Sequence, residues 1–273
     1  MPALDNIAYS HDQTVAAFRS YYSFLTKMYL NESHIINPPS EGWITIIASP
    51  NTLDKTDKVV NLLRHLPYMR ITNDDTRDAE GAPYCKFADW QKLSSSRKGR
   101  DFLKLCTENA SICEDVPRHV VGLTAGGRYN PVFLLDVELG TVTWYECRDE
   151  ISEALGWPQV EDDPYDYAPE KEAEWRAEGA TWAISDFFEM MKDQYRKLHF
   201  IPISPRMVID EREILQYGPE GMIQGLQKIF REHGWPDLER YCKKECLDAV
   251  QAFLEEHYPE EADRRNDARD LDG

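Results

Sequence analysis

The sequence predicts an α+β fold: a small antiparallel sheet, a meander over about 119–147, packed with several helices, and a helical C-terminal third. Three observations predict it. Three strand-like runs, HVVGLTA (119–125), PVFLLDVE (131–138) and TVTWYEC (141–147), follow one another across short links. Apolar residues recur at helical spacing before and after them. A chain of 273 residues with 42% apolar and 11% aromatic side chains has enough material to bury a core without a disulfide or metal staple.

Taken in order, Ser10 and Gln13 form a capping-box pattern ahead of Val15, Phe18, Tyr22, Leu25 and Tyr29, which gives a helix over about 11–30. The segment from Asn37 to Gly42, with Pro38 and Pro39, breaks it. Trp43 to Ala48 (WITIIA) is a β-branched run and reads as a short strand. Asp54 or Thr56 caps a second helix with the stripe Val59, Leu62, Leu63 and Leu66, ended by Pro67. Residues 71–84 read as a polar loop, Phe87 to Leu93 as a small helical piece, 94–100 (SSSRKGR) as a solvated turn, and about 100–109 as a helix. In the meander, Gly140 supplies the left-handed residue of the hairpin turn. The run PVFLLDV is apolar on both faces and belongs in the middle of the sheet.

The stretch at about 149–179 is the most acidic; EDDPYDYAPEKEAEW holds seven acids in fifteen residues and reads as an exposed loop. From Thr181 the pattern is helical, with Trp182, Ile184, Phe187, Phe188, Met191 and Tyr195 on one face. HFIPIS (198–204) is extended, and Met222, Ile223, Leu226, Ile229 and Phe230 mark another helix that Gly234 ends. A last helix begins near Pro236 and carries Leu238, Tyr241, Leu247, Val250 and Leu254. These elements predict a single domain over 1–258 and a disordered acidic tail over 259–273.

The formal net charge is −18. Nucleic acid and anionic membranes, which need lysine and arginine against phosphate, are therefore not expected as partners; a basic protein or a cationic ligand is compatible. No run approaches the ~20 apolar residues of a membrane span, and no secretory signal is evident at the N-terminus, so a cytoplasmic protein is expected. The six cysteines (85, 106, 113, 147, 242 and 246) are scattered and read as free thiols. Cys242 and Cys246 share one helix face, half of a metal site without its other half, so no metal and no cofactor is expected.

Motifs of known chemistry are missing. There is no phosphate loop, no GxGxxG, no GxSxG elbow, no HExxH, no EF-hand loop and no kinase signature. The seven histidines do not pair with one another or with cysteine at ligand spacing, and His65 reads as a surface or boundary residue. The residues left for chemistry are few. Asp136 and Glu146 are acids on adjacent strands, and an acid in an apolar strand needs a partner; for Asp136 the competing reading is a strand-end residue that prepares the turn. His119, beside Arg118, opens the meander and stands where it lines a pocket if one forms. Arg128 and Tyr129 lie in the loop before the central strand and suit a carboxylate. A cysteine–histidine pair formed in space stays open for any of the six thiols. Tyr165, Tyr167 and Trp175, set among carboxylates, suit a cation or a basic peptide, or else anchor the acidic stretch.

The segment GLTAGGRYNPVFLLDVELGTVTWYE (122–146) resembles the central pattern of the SUKH superfamily: a glycine loop, a strand ending in aspartate, a turn glycine and a strand with an aromatic, here Gly126, Asp136, Gly140 and Trp144. Across most of the chain, segments such as KTDKVVNLLRHLPY (55–68), FADW (87–90), DFFEMMKDQYRKLHFIP (186–202) and REHGWPDLERY (231–241) are similar to a family of cytoplasmic proteins of filamentous fungi. The first resemblance implies a protein-binding module; the second implies an association with secondary metabolism and supplies no catalytic residues. The expected function is thus an intracellular protein-binding or regulatory module. The alternative is a small cofactor-independent accessory enzyme, or a small-molecule carrier, of a fungal secondary-metabolite pathway.

Overall fold

In a computed structural model the described residues are 2–47, 53–71, 78–95, 99–127, 129–153 and 156–262. They form an α+β fold in two compact units. The first is built from Met1–Ser20, Ile36–Met69 and Phe87–Met190, the second from Tyr21–Ile35, Arg70–Lys86 and Met191–Gly273.

The first unit is organised by the meander. The strands β3 (Val120–Gly122), β4 (Val132–Asp136), β5 (Thr141–Tyr145) and β6 (Gly179–Ala183) form one antiparallel sheet in that order; two shorter extended pieces, β1 (Ile35–Ile36) and β2 (Tyr68–Met69), precede them in the chain. The register sets Val120 opposite Asp136, Asp136 opposite Thr141, and Thr141 opposite Ala183. The hairpin turn forms as its glycine predicts: Gly140 has φ +74°, and a Cβ there would lie 2.8 Å from the Tyr9 amide nitrogen.

One sheet face carries Phe133, which meets Trp144 and Phe187 edge-on and Phe87 at a tilt, with Trp182 and Phe188 beyond against Phe187. Phe18 reaches the same cluster from helix α1 (His11–Met28) through Phe188, at the start of the chain's next long helix. On the other face Val120, Leu134 and Tyr145 pack with Ile112, Val116 and Trp175. Helix α2 (Asp57–His65) is capped by Thr56, whose hydroxyl accepts from the Val59 amide, and buries Val59, Val60, Leu62 and Leu63. Helices α3 (Trp90–Ser95) and α4 (Arg100–Glu108) complete the expected helical pieces of this unit.

Several sequence expectations are corrected. Trp43 to Ile47 is not a strand but a turn, and Ala48 lies outside the described residues. Trp43 is held by its indole donating to the Leu66 carbonyl, while Ile44 and Ile47 point into solvent; β propensity without a strand to pair with does not make a strand. The acidic stretch is not a loop throughout. It folds as three short helices, α5 (Asp149–Ser152), α6 (Pro164–Tyr167) and α7 (Glu170–Ala177), with Ala173, Trp175 and Arg176 buried. Glu170 and Glu172 in the first turn of α7 and Arg176 in its last turn suit the helix dipole, so the acids that mark a loop by composition also support a helix. The chain is not helical from Thr181: residues 179–183 are the fourth strand, with Ala180 and Trp182 buried in alternation, and helix α8 (Ile184–Arg196) follows.

The second unit holds β7 (Phe200–Pro202), inside the run read as extended, paired with β8 (Val208–Asp210), then α9 (Glu211–Tyr217), α10 (Met222–Glu232) and α11 (Lys243–His257). Gly234 is left-handed as expected, with φ +97°. The last helix starts at Lys243, not near Pro236; the Trp235–Pro236 peptide is cis, and residues 236–242 form turns. Here Tyr21 and Tyr195 both donate to the Gly81 carbonyl and Tyr29 to that of Glu80, which fixes the loop beneath three buried phenols. The polar loop read at 71–84 and the turn at 94–100 fall partly outside the described residues. Of the tail, 259–262 are helical and the rest lies outside. Among the described residues no helix is long and apolar enough to cross a membrane.

Candidate functional site

Asp136 is the centre of the most elaborate polar cluster in the first unit. Strand β4 delivers it to the sheet end, 1% exposed. One carboxylate oxygen, Oδ1, accepts from the Glu138 and Leu139 amides at 2.8 and 2.9 Å, which shapes the hairpin turn. The other, Oδ2, accepts from Arg176 Nη2 at 2.5 Å. Asp136 thus prepares the turn, as the strand-end reading has it, and also has the charge partner that a buried acid needs. Arg176, on α7, is itself 2% exposed; its Nε and Nη2 both donate to Glu172 Oε1 one helical turn earlier, at 2.9 and 2.6 Å. Its Nη1 has no partner among the described residues.

His119, just before β3, joins the cluster from its more open side. Its Nε2 lies 3.7 Å from Asp136 Oδ2 and 3.9 Å from Glu172 Oε1, and its Nδ1 lies 3.8 Å from Glu138 Oε2. Sequence reasoning singled out Asp136 and His119 separately and missed Glu172 and Arg176, which sit in the stretch it read as exposed. The available signal was Glu172 and Arg176 four apart, a pair that meets once the segment is helical.

The other candidates do not converge there. Glu146 is exposed with φ +51°, Tyr129 is 79% exposed, and Arg128 lies outside the described residues. The aromatics of the acidic stretch serve mainly as anchors: Trp175 is buried, and the cation it meets is the chain's own Arg176, whose Cζ lies 4.6 Å from the ring centroid. Tyr167 approaches the same guanidinium at 5.9 Å, while Tyr165 remains exposed. His65 stacks edge-on with His11 at 5.2 Å, a neighbour that the sequence spacing did not reveal. Cys242 is exposed and Cys246 buried, so the two do not present a joint ligand face. Burial pushes the thiols of Cys147 up to about 12 and of Cys246 up to about 11, and that of Cys85 well up, opposite to the direction a nucleophilic thiolate requires.

Two further features were not legible in the sequence. In the second unit, Arg212 Nη2 donates to His199 Nδ1 at 3.0 Å, with Glu211 Oε2 3.7 Å from Nε2; desolvation and the Arg212 charge push His199 below the usual histidine value. Gln227 steadies Glu211 through a 2.8 Å hydrogen bond. In the first unit a groove of about 400 Å³ is lined by Ile7, Ser10, Gln13, Gly140, Ile184 and Asp186, among others. No family model, no curated protein and no solved structure matches this chain.

Proposed function

We propose that the chain is a cytoplasmic protein-binding module whose partner presents a basic surface. The observation that carries the reading is the turn at 40–47. Gly42 has φ +72°, and a Cβ there would come within 2.8 Å of the Arg64 carbonyl, so the turn is pressed against α2. The Trp43 amide donates to that same carbonyl and Ile46 is buried, which holds the backbone still. The result is that Ile44 and Ile47 stand 70% and 63% exposed on a pinned support, beside the exposed Glu41. Two exposed apolar side chains on a turn fastened to its neighbour, in a chain rich in acids, suit the centre of an interface with carboxylates at its rim. The net charge of −18 supplies attraction for a basic partner. The SUKH-like pattern of the meander points to the same class of function.

The test is purification of the tagged chain from its own cells at low salt, in parallel with an Ile44→Asp/Ile47→Asp variant, followed by native mass spectrometry. Both substitutions are on the surface, so stability stays within about 0.5 kcal/mol. Wild type is expected to carry a protein partner in stoichiometric amount that the variant has lost. A wild type without a protein partner, or a variant that keeps it, rejects the reading. The groove favours a second reading, a small-molecule carrier or a cofactor-independent enzyme of a fungal pathway; a small molecule retained in place of a protein would support that one.

A further inference from the structure

We propose that His119, Asp136 and Glu172 form a binding site for one first-row divalent cation of the zinc or cobalt type, with Arg176 as the residue that orients the two carboxylates. One ligand atom from each of the three residues lies within 4.8 Å of the others. They come from three places in the fold: the residue before β3, the end of β4 and the first turn of α7. One imidazole and two carboxylates are a donor set suited to such ions, and harder ions such as magnesium prefer oxygen alone.

Arg176 does not use up this capacity. It places two hydrogen bonds on a single oxygen, Glu172 Oε1, and Glu172 Oε2 accepts none among the described residues. On Asp136 Oδ2 it takes one position, and the two backbone amides are on the other oxygen. A lone pair of Asp136, an oxygen of Glu172 and the His119 Nε2 thus remain available. His119 Nε2 lies 3.7 Å from Asp136 Oδ2 and 3.9 Å from Glu172 Oε1, the oxygen that Arg176 holds, both wider than the ~3.4 Å edge of a tetrahedral site with bonds of about 2.1 Å. Binding an ion here requires the His119 and Glu172 side chains, the two more open members, to turn inward, Glu172 so that its free oxygen faces the ion.

Charge favours the ion as well. Two carboxylates, Asp136 and Glu172, stand against one guanidinium beside the His119 imidazole, so acids outnumber bases at the site. Glu138 stands at the far nitrogen of His119, 3.8 Å from Nδ1. A carboxylate that accepts from the far nitrogen is common around metal-bound histidine, and Glu138 is the acid placed to approach Nδ1, from which it now stands beyond hydrogen-bond distance. The side chain of His119 is 22% exposed, so the site has an opening to solvent.

The experiment is a titration of the full chain with cobalt(II), followed by visible absorption, with magnesium as the control ion and circular dichroism to confirm folding. The expected result is one equivalent of cobalt bound with oxygen and nitrogen ligands, without a thiolate-to-cobalt charge-transfer band, and displaced by zinc but not by magnesium. His119→Ala should weaken binding roughly ten-fold or more. Glu172→Gln, which keeps an acceptor for Arg176, should weaken it as well and guards against a misfolded histidine variant. No binding at millimolar cobalt, a thiolate band, or full binding in both folded variants overturns the proposal.

Discussion

At the scale of the residue, burial decides what each polar group does. Asp136 and Arg176 are both almost fully buried, and each is the other's partner, with the turn amides completing Asp136 and Glu172 completing Arg176. Removing one partner would leave the other as an uncompensated buried charge, which is why such pairs persist even where an apolar pair would be as stable. The sequence reveals Asp136, because an acid in VFLLDV stands out, but it does not reveal Arg176, one basic residue among many acids whose depth depends on how α7 lies on the sheet. Glu80, in the second unit, is the opposite case. Among the described residues its carboxylate accepts only the Val208 amide, at 2.8 Å, and burial pushes it up from 4.5 to about 7. Below pH 4.5 the group is protonated whether the chain is folded or not. Between 4.5 and about 7 the folded chain keeps a proton that the unfolded chain has released, so stability falls as pH rises. Above that window the whole penalty is present, on the order of 3 kcal/mol. The Glu80→Gln variant keeps the acceptor for Val208 and has no proton to lose. Urea denaturation of both proteins at several pH values should therefore show wild type losing stability relative to the variant from pH 5 to pH 7.5. Parallel curves would mean that Glu80 stays ionised in the folded chain.

At the scale of the element, the sequence is legible where local pattern and packing agree. Helix α2 has its cap, stripe and stop in the expected places, and the hairpin between β4 and β5 has its glycine. Legibility fails where two periods overlap: Trp182 belongs to a strand of alternating burial but also continues, by spacing, the stripe of α8 that starts two residues later. It fails again at Ile44 and Ile47, because the run WITII has strand propensity and no strand beside it. The candidate site shares in both outcomes, since β4 was read correctly and α7 was not. The hairpin gives a sharp test of how much a single turn residue contributes. Gly140 is left-handed, and a Cβ would be 2.8 Å from the Tyr9 nitrogen and 2.9 Å from the Ala8 carbonyl carbon. Both contacts are with backbone, so neither can rotate away. Gly140→Ala should cost about 1–3 kcal/mol, from the unfavourable φ and the displaced N-terminal segment together. Chemical denaturation measures it; a loss below half a kilocalorie would mean that the segment at residues 8–9 yields freely.

At the scale of the whole molecule, the dominant fact is charge: 49 acidic against 31 basic residues. The attractive pairs do not balance it. Those on the surface, such as Lys244 with Asp248, lie in high dielectric and contribute little. Those in the interior, such as Arg176 with Asp136, are shielded from salt by their burial. What salt can change is therefore mainly the long-range repulsion among unpaired carboxylates, which is stronger in the compact state than in the expanded unfolded chain. At 10 mM ionic strength charges interact over about 30 Å, and at 150 mM over about 8 Å. Raising sodium chloride through that range should raise Tm by roughly 2–4 °C, which corresponds to about 1 kcal/mol for a chain of this size. Differential scanning calorimetry in a low-salt buffer, with an uncharged osmolyte as control, measures the effect. A Tm that falls with salt would show that surface ion pairs outweigh the repulsion, and would remove the electrostatic argument for a basic partner. A rise supports it, because a basic surface docked on the chain relieves the same repulsion that salt screens; the partner should then bind most tightly where the free chain is least stable.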